Sequence, residues 1–142
     1  MPYVVGIVLA LLVGAFARIV GFDRDRAFYS TVVVVVALYY VLFAVMGGSP
    51  RALVVETAIM LVFVVFAAAG FRGNLWLVAA GLAAHGAMDL VHGSIVDNPG
   101  VPSWWPAFCA AYDITAAAVL ALILARSPSH ALATTAIGSA RP

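Results

Sequence analysis

The sequence predicts an all-α integral membrane bundle of five transmembrane helices, N-terminus outside and C-terminus inside. Two observations carry the fold class. Of 142 residues, 65% are hydrophobic and only 9% charged, with mean hydropathy +1.13, a balance that soluble domains do not reach. The apolar residues also fall into five runs near the ~20 residues needed to cross a bilayer, with short polar or Gly/Pro-rich breaks between them.

The first helix is expected over about residues 3–20. Ala15-Phe16-Ala17 resembles a signal-peptide cleavage site, but no Lys or Arg precedes the apolar run. A retained helix is therefore the better reading. Gly21-Phe-Asp-Arg-Asp-Arg26 is the only dense charge cluster; its alternating signs nearly cancel, as in a solvated turn with local Asp–Arg pairs. The second helix is expected over 27–46. Val32 to Val36 would suit a buried strand, but the whole run is too long for one, and length decides for a spanning helix.

Gly47-Gly48-Ser49-Pro50 makes a turn into a third helix over 51–69, and Phe71-Arg72-Gly73-Asn74 a turn into a fourth over 75–93. The fourth is rich in Gly and Ala, which let helix backbones approach closely in a membrane, so it belongs at the bundle centre. Asn98-Pro99-Gly100 reads as a turn with Gly at a positive-φ position. Trp104 and Trp105 form an interfacial aromatic pair, and a fifth helix follows over 104–125. Residues 127–142 read as a mobile tail. With the N-terminus outside, Arg18, Arg24, Arg26, Arg72, Arg126 and Arg141 lie inside and only Arg51 outside, as the positive-inside rule requires. This places the single domain, 1–126, in a bacterial inner membrane.

Composition also excludes several functions. A net charge of +1 with no basic run gives no case for nucleic acid. The chain has no lysine, so a lysine Schiff base is excluded. One cysteine, Cys109, can form no internal disulfide and belongs to no Cys-x-x-Cys motif.

The stretch that calls for an explanation is His85-Gly-Ala-Met-Asp89-Leu-Val-His92, because ionisable groups inside a membrane are costly and mark functional positions. At roughly 100° per residue, Asp89 lies about 40° from His85 and His92 about 20° to its other side. All three share one face. Counting inward from the outer helix ends at about 1.5 Å per residue puts Asp89 roughly 6 Å deep, His85 roughly 12 Å, Glu56 roughly 7 Å, Asp113 roughly 13 Å and Tyr40 roughly 9 Å, with His92 at the surface. Ionisable residues from three helices thus share the outer half, and one outward-facing polar cavity is expected there.

Imidazole and carboxylate are ligands for divalent metals, zinc first, with iron and manganese also suited. The expected metal ligands are His85, Asp89 and His92, with Glu56 and Asp113 as acid/base residues. Each has a plainer reading. His85 would hydrogen-bond Asp113 across helices. His92 would meet headgroups. Glu56 would sit at a helix N-terminus, where the dipole favours a carboxylate. Tyr39, Tyr40 and Tyr112 read as packing aromatics.

Taken together, Gly21-Phe-Asp-Arg-Asp-Arg-Ala-Phe-Tyr29, Tyr39-Tyr40-Val-Leu-Phe-Ala-Val-Met46, His85-Gly-x-x-Asp-x-x-His92, Asn98-Pro-Gly-Val-Pro-Ser-Trp-Trp-Pro106 and Tyr112-Asp113 resemble a family of small bacterial multi-span proteins of unknown function, over roughly residues 15–125. That resemblance implies no activity. More loosely, membrane-embedded His and Asp resemble the alkaline ceramidase and adiponectin-receptor group of zinc-dependent membrane hydrolases. That group has seven spans and a paired His-x-x-x-His absent here, so it serves as chemical analogy.

The leading expectation is a metal-dependent membrane hydrolase acting on a lipid or small amphiphile. The alternatives are a proton-coupled or metal-handling carrier, and an accessory subunit whose polar pairs are structural. Homodimerisation is compatible with this length, but no motif specifies it.

Overall fold

The computed structural model describes residues 1–126; the tail expected over 127–142 and His130 lie outside them. The described chain is all helical. Its elements are α1 (Pro2–Val20), a 3-10 turn (Phe22–Arg24), α2 (Ala27–Met46), α3 (Pro50–Arg72), α4 (Trp76–Ile95) and α5 (Trp105–Arg126).

Local chemistry sets the boundaries. Gly21 takes φ 89° and ends α1, a left-handed conformation that Gly adopts without steric cost. The Ser49 side chain caps α3 by accepting from the Ala52 N–H at 3.2 Å, and Pro50 fills the first turn. At the far end, the Arg26 guanidinium donates to the Gly70 carbonyl at 3.4 Å and to the Gly73 carbonyl. That contact satisfies free carbonyls at the C-terminus of α3, which runs to Arg72, past the expected end at 69. Asp23 of the charge cluster pairs with Arg18 of α1 at 2.9 Å.

Among the described residues, four helices are long and apolar enough to cross a membrane: α1, α2, α3 and α5. Helix α4 has 20 residues, enough to span, but its His, Asp and His lower its mean hydropathy. It is instead the central helix by packing, meeting α5, α3 and α2. Its buried residues, Val78, Ala79, Gly81, Leu82, His85, Gly86, Asp89 and His92, recur at helical spacing. Small residues set the close approaches. A Cβ on Gly86 would meet the Ala110 carbonyl of α5 at 3.1 Å, and one on Gly6 of α1 would collide with the Phe108 carbonyl. Helix α1 packs on α5, and α2 packs chiefly on α3.

The bundle has two unlike halves. An apolar core of Tyr29, Val33, Phe63, Ala67, Val78, Leu82, Ala116, Ala117 and Leu120 fills the end near the 3-10 turn. The buried polar side chains lie mainly at the opposite end, under the Val96–Trp104 loop. That loop is held down by a backbone contact rather than by the positive φ expected of Gly100, since among the described residues the only positive-φ glycines are Gly21 and Gly48. Gly100 is required for another reason. Its missing Cβ lets the loop rest on the Phe43 carbonyl and on Gly47, at the end of α2.

Candidate functional site

Helices α2, α3, α4 and α5 each send polar side chains into the capped half. His85 Nδ1 lies 2.6 Å from Asp113 Oδ2 across the α4–α5 contact, where Gly86 keeps the two backbones close. His85 Nδ1 is also 3.5 Å from Asp89 Oδ2, one turn along α4. The Tyr40 hydroxyl of α2 donates to Asp89 Oδ1 at 2.7 Å. Cys109, one turn before Asp113 on α5, has its Sγ 3.8 Å from Asp113 Oδ2.

A second group lies beyond Tyr40. His92 Nε2 is 2.8 Å from Glu56 Oε1, joining α4 to α3. The Asn98 amide donates to the same Glu56 oxygen at 2.9 Å and to the Tyr40 carbonyl at 3.1 Å. The rings of Tyr40 and His92 stack with centroids 4.0 Å apart, so Tyr40 joins the two groups.

The structure therefore brings the five sequence-derived residues into one half, divided between two nodes. His85, Asp89 and Asp113 form the inner node with Cys109. His92 and Glu56 form the outer node with Asn98. His92 does not join His85 and Asp89 around one point. The open polar cavity expected from the depth count is absent among the described residues, since Glu56, His85, Asp89, His92 and Asp113 are each 3% exposed or less. Tight helix packing and the loop above close the space.

The inner node has the composition of a metal site. One ligand atom from each of His85, Asp89, Cys109 and Asp113 lies within 4.8 Å of the others, and all four residues are buried. Several buried polar atoms have no hydrogen-bond partner: His85 Nε2, Asp89 Oδ2 and Asp113 Oδ1 in this node, and Glu56 Oε2 in the other. A buried polar atom without a hydrogen bond is expensive, and four potential ligand atoms this close together could gather around a single cation. Nitrogen, oxygen and sulfur donors together suit zinc better than the harder manganese.

Three residues of this arrangement were not assigned a role from the sequence. The depth count puts Tyr40, at roughly 9 Å, midway between Asp89 at roughly 6 Å and His85 at roughly 12 Å, which places it in the right half without choosing its partner. Cys109 stands four residues before Asp113, on the same helix face, so spacing also pointed to it. Asn98 carries no such signal; only the folded loop brings it over Glu56.

Compared with models of protein families, with curated proteins and with solved structures, the chain matches none, so its function is argued from the geometry of this membrane-type helical fold and its His/Asp/Cys cluster.

Proposed function

We propose that the protein is a five-span membrane protein, N-terminus outside and C-terminus inside, that holds one divalent cation, zinc first, in the outer half of its bundle. It would act as a metal-dependent enzyme on a lipid or amphiphile, in a bacterial cytoplasmic membrane. The observation that carries this reading is the four-residue convergence of His85, Asp89, Cys109 and Asp113, with buried atoms that lack a hydrogen bond on three of them. Asp113 is accordingly assigned as a ligand rather than a free acid/base group.

When bound, the ion supplies Lewis acidity and acidifies a coordinated water, the chemistry of metal-assisted hydrolysis. The chain's own groups orient the donors. Tyr40 fixes Asp89 through its hydroxyl, as outer-shell partners do around metal ligands. The Glu56–His92 pair is reserved for proton handling in the outer node. A carrier is disfavoured because, among the described residues, the apolar core of the other half leaves no polar route onward. The five-span topology rests on helix length and the arginine distribution. A C-terminal reporter should be active on the cytoplasmic side; activity on the opposite side would reverse the orientation.

One observation favours a second reading. Both histidines already meet carboxylates, at 2.6 and 2.8 Å, in a sealed interior, as structural clasps would. Elemental analysis of purified protein decides between them. Wild type should carry about one zinc per chain, as a dedicated site does. His85→Ala and Asp113→Ala should lower that by tenfold or more, while His92→Ala, outside the ligand set, retains it. No metal in folded wild type after reconstitution with zinc, iron and manganese would overturn the metal reading and leave the clasps.

A further inference from the structure

The inner node is sealed, so whatever reaches it has to displace something. Below it, the apolar core fills the bundle, and the Phe63 ring meets the His85 ring with centroids 4.8 Å apart. Between α4 and α5, Gly86 lies against the Ala110 carbonyl. Toward α1 and α2, Cys109 borders a groove lined almost wholly by aliphatic and aromatic side chains, a costly route for an ion. The polar line runs to the loop end. Asn98, Glu56, His92 and Tyr40 follow one another down to Asp89. On that line Glu56 Oε2 is buried with no hydrogen-bond partner, an acceptor that an incoming water or cation would satisfy.

The loop that closes this end is held by little. Of Val96–Trp104, only Val96 and Asn98 are buried. Among the described residues, its hydrogen bonds to α2 and α3 all come from the Asn98 amide, which donates to Glu56 Oε1 and to the Tyr40 carbonyl. The Gly100 N–H donates to Asn98 Oδ1 at 3.2 Å, which turns the amide nitrogen inward. The rest is contact: Gly100 on the Phe43 carbonyl, and Val96 against Ala44 and Ala52. The two α2 residues whose carbonyls the loop touches are also the two whose rings roof the node. Tyr40 stacks on His92, and Phe43 packs edge-on against Trp105 at 4.9 Å. Trp105 stands one turn before Cys109, on the same face of α5.

We propose that the Val96–Trp104 loop is a strap, latched by Asn98, whose release admits water and small hydrated cations to the inner node. Lifting it breaks both Asn98 bonds and takes the loop off the Tyr40 and Phe43 backbone together, so the ring layer beneath loosens with it. A segment held by so few contacts opens locally, without global unfolding. The proposal rests on the metal-site reading only for what is held once inside; the opening is a property of the loop.

Cys109 is the only cysteine of the chain and is 2% exposed, so its thiol reports the opening. The test is its rate of labelling by a positively charged, membrane-impermeant methanethiosulfonate. The full chain is held in phosphatidylcholine nanodiscs, which leave both faces in solvent, with EDTA present so that no ion shields the sulfur. Asn98→Ala should label about tenfold faster than wild type or more, as the loss of two hydrogen bonds implies. Gly100→Ala, which lifts the same loop through the Phe43 contact, should also label faster. Leu120→Ala opens a cavity in the apolar core and lowers stability without touching the loop, so its rate should stay within about twofold of wild type. Wild-type rates in both loop variants would overturn the proposal. So would equal acceleration in Leu120→Ala, which would make the exposure global. Acceleration seen only with a neutral, lipid-soluble maleimide would move the route to the α1–α2 side and overturn it too. Zinc content of the same preparations, measured before EDTA is added, separates the two ideas. Faster labelling of loop variants in protein that never takes up zinc removes the metal reading and keeps the strap, whereas zinc with unchanged labelling does the reverse.

Discussion

Glu56→Ala is expected to be the most destabilising single substitution in the capped half, at about 3–5 kcal/mol, the range for breaking one side of a buried polar pair. Glu56 is 1% exposed, and one of its oxygens serves both His92 of α4 and Asn98 of the loop. Truncation strands both partners and frees the loop that covers the site. Glu56→Gln keeps an acceptor and should cost less, about 1–3 kcal/mol. Thermal unfolding in detergent, followed by a loop-proximal fluorophore and by helicity, would measure this. His92→Ala added to Glu56→Ala should cost little more, because groups that share a contact do not act additively. A fully additive pair, or a Glu56→Ala loss below about 1 kcal/mol, would show that the outer node does not hold the helices together.

Gly100→Ala is the second large expected effect, about 1–3 kcal/mol, as for overpacking at a site that cannot yield. The added methyl would lie on the Phe43 carbonyl and against Gly47, both backbone. No rotamer change relieves that contact. The loop would have to lift, drawing Asn98 away from Glu56 and the Tyr40 carbonyl. Gly93 supplies the control. Nothing lies within 4 Å of a Cβ added there, so Gly93→Ala should be neutral, or stabilising by up to about 1 kcal/mol through helix propensity. Equal unfolding temperatures for the two variants would remove the close approach as the reason for glycine at position 100.

Much of this arrangement was legible in the chain because depth along a helix is simple arithmetic. His85 and Asp113 were counted to within roughly 1 Å of the same level, and they meet at 2.6 Å. Tyr40 falls midway between His85 and Asp89 by depth, and the folded chain pairs it with Asp89. His92 was counted to the surface because α4 was ended at Gly93. The helix runs to Ile95, which carries His92 roughly 3 Å deeper, within reach of Glu56. What counting along an axis cannot supply is rotation about it. Whether His92 turns toward His85's partners or toward Glu56 depends on how α3 and α2 pack against α4. For the same reason, a shared polar depth suggested a wet cavity where packing closed one. Gly100 shows a further limit. A turn motif announced a glycine, but the reason for it, a backbone resting on the end of another helix, lies far away in sequence.

Helix α4 is the one helix of the five whose composition lipid alone would hold poorly. An aspartate at the centre of a membrane helix carries an insertion cost of about 2.5–3.5 kcal/mol, and α4 has two histidines besides. Those groups find their partners on neighbouring helices, and the next helix in the chain, α5, brings Asp113 to His85. In the proposed five-span arrangement α4 and α5 would insert best as one helical hairpin. The Val96–Trp104 connection is short enough for Asp113 to meet His85 as the two helices insert together, so neither side chain would have to face hydrocarbon alone.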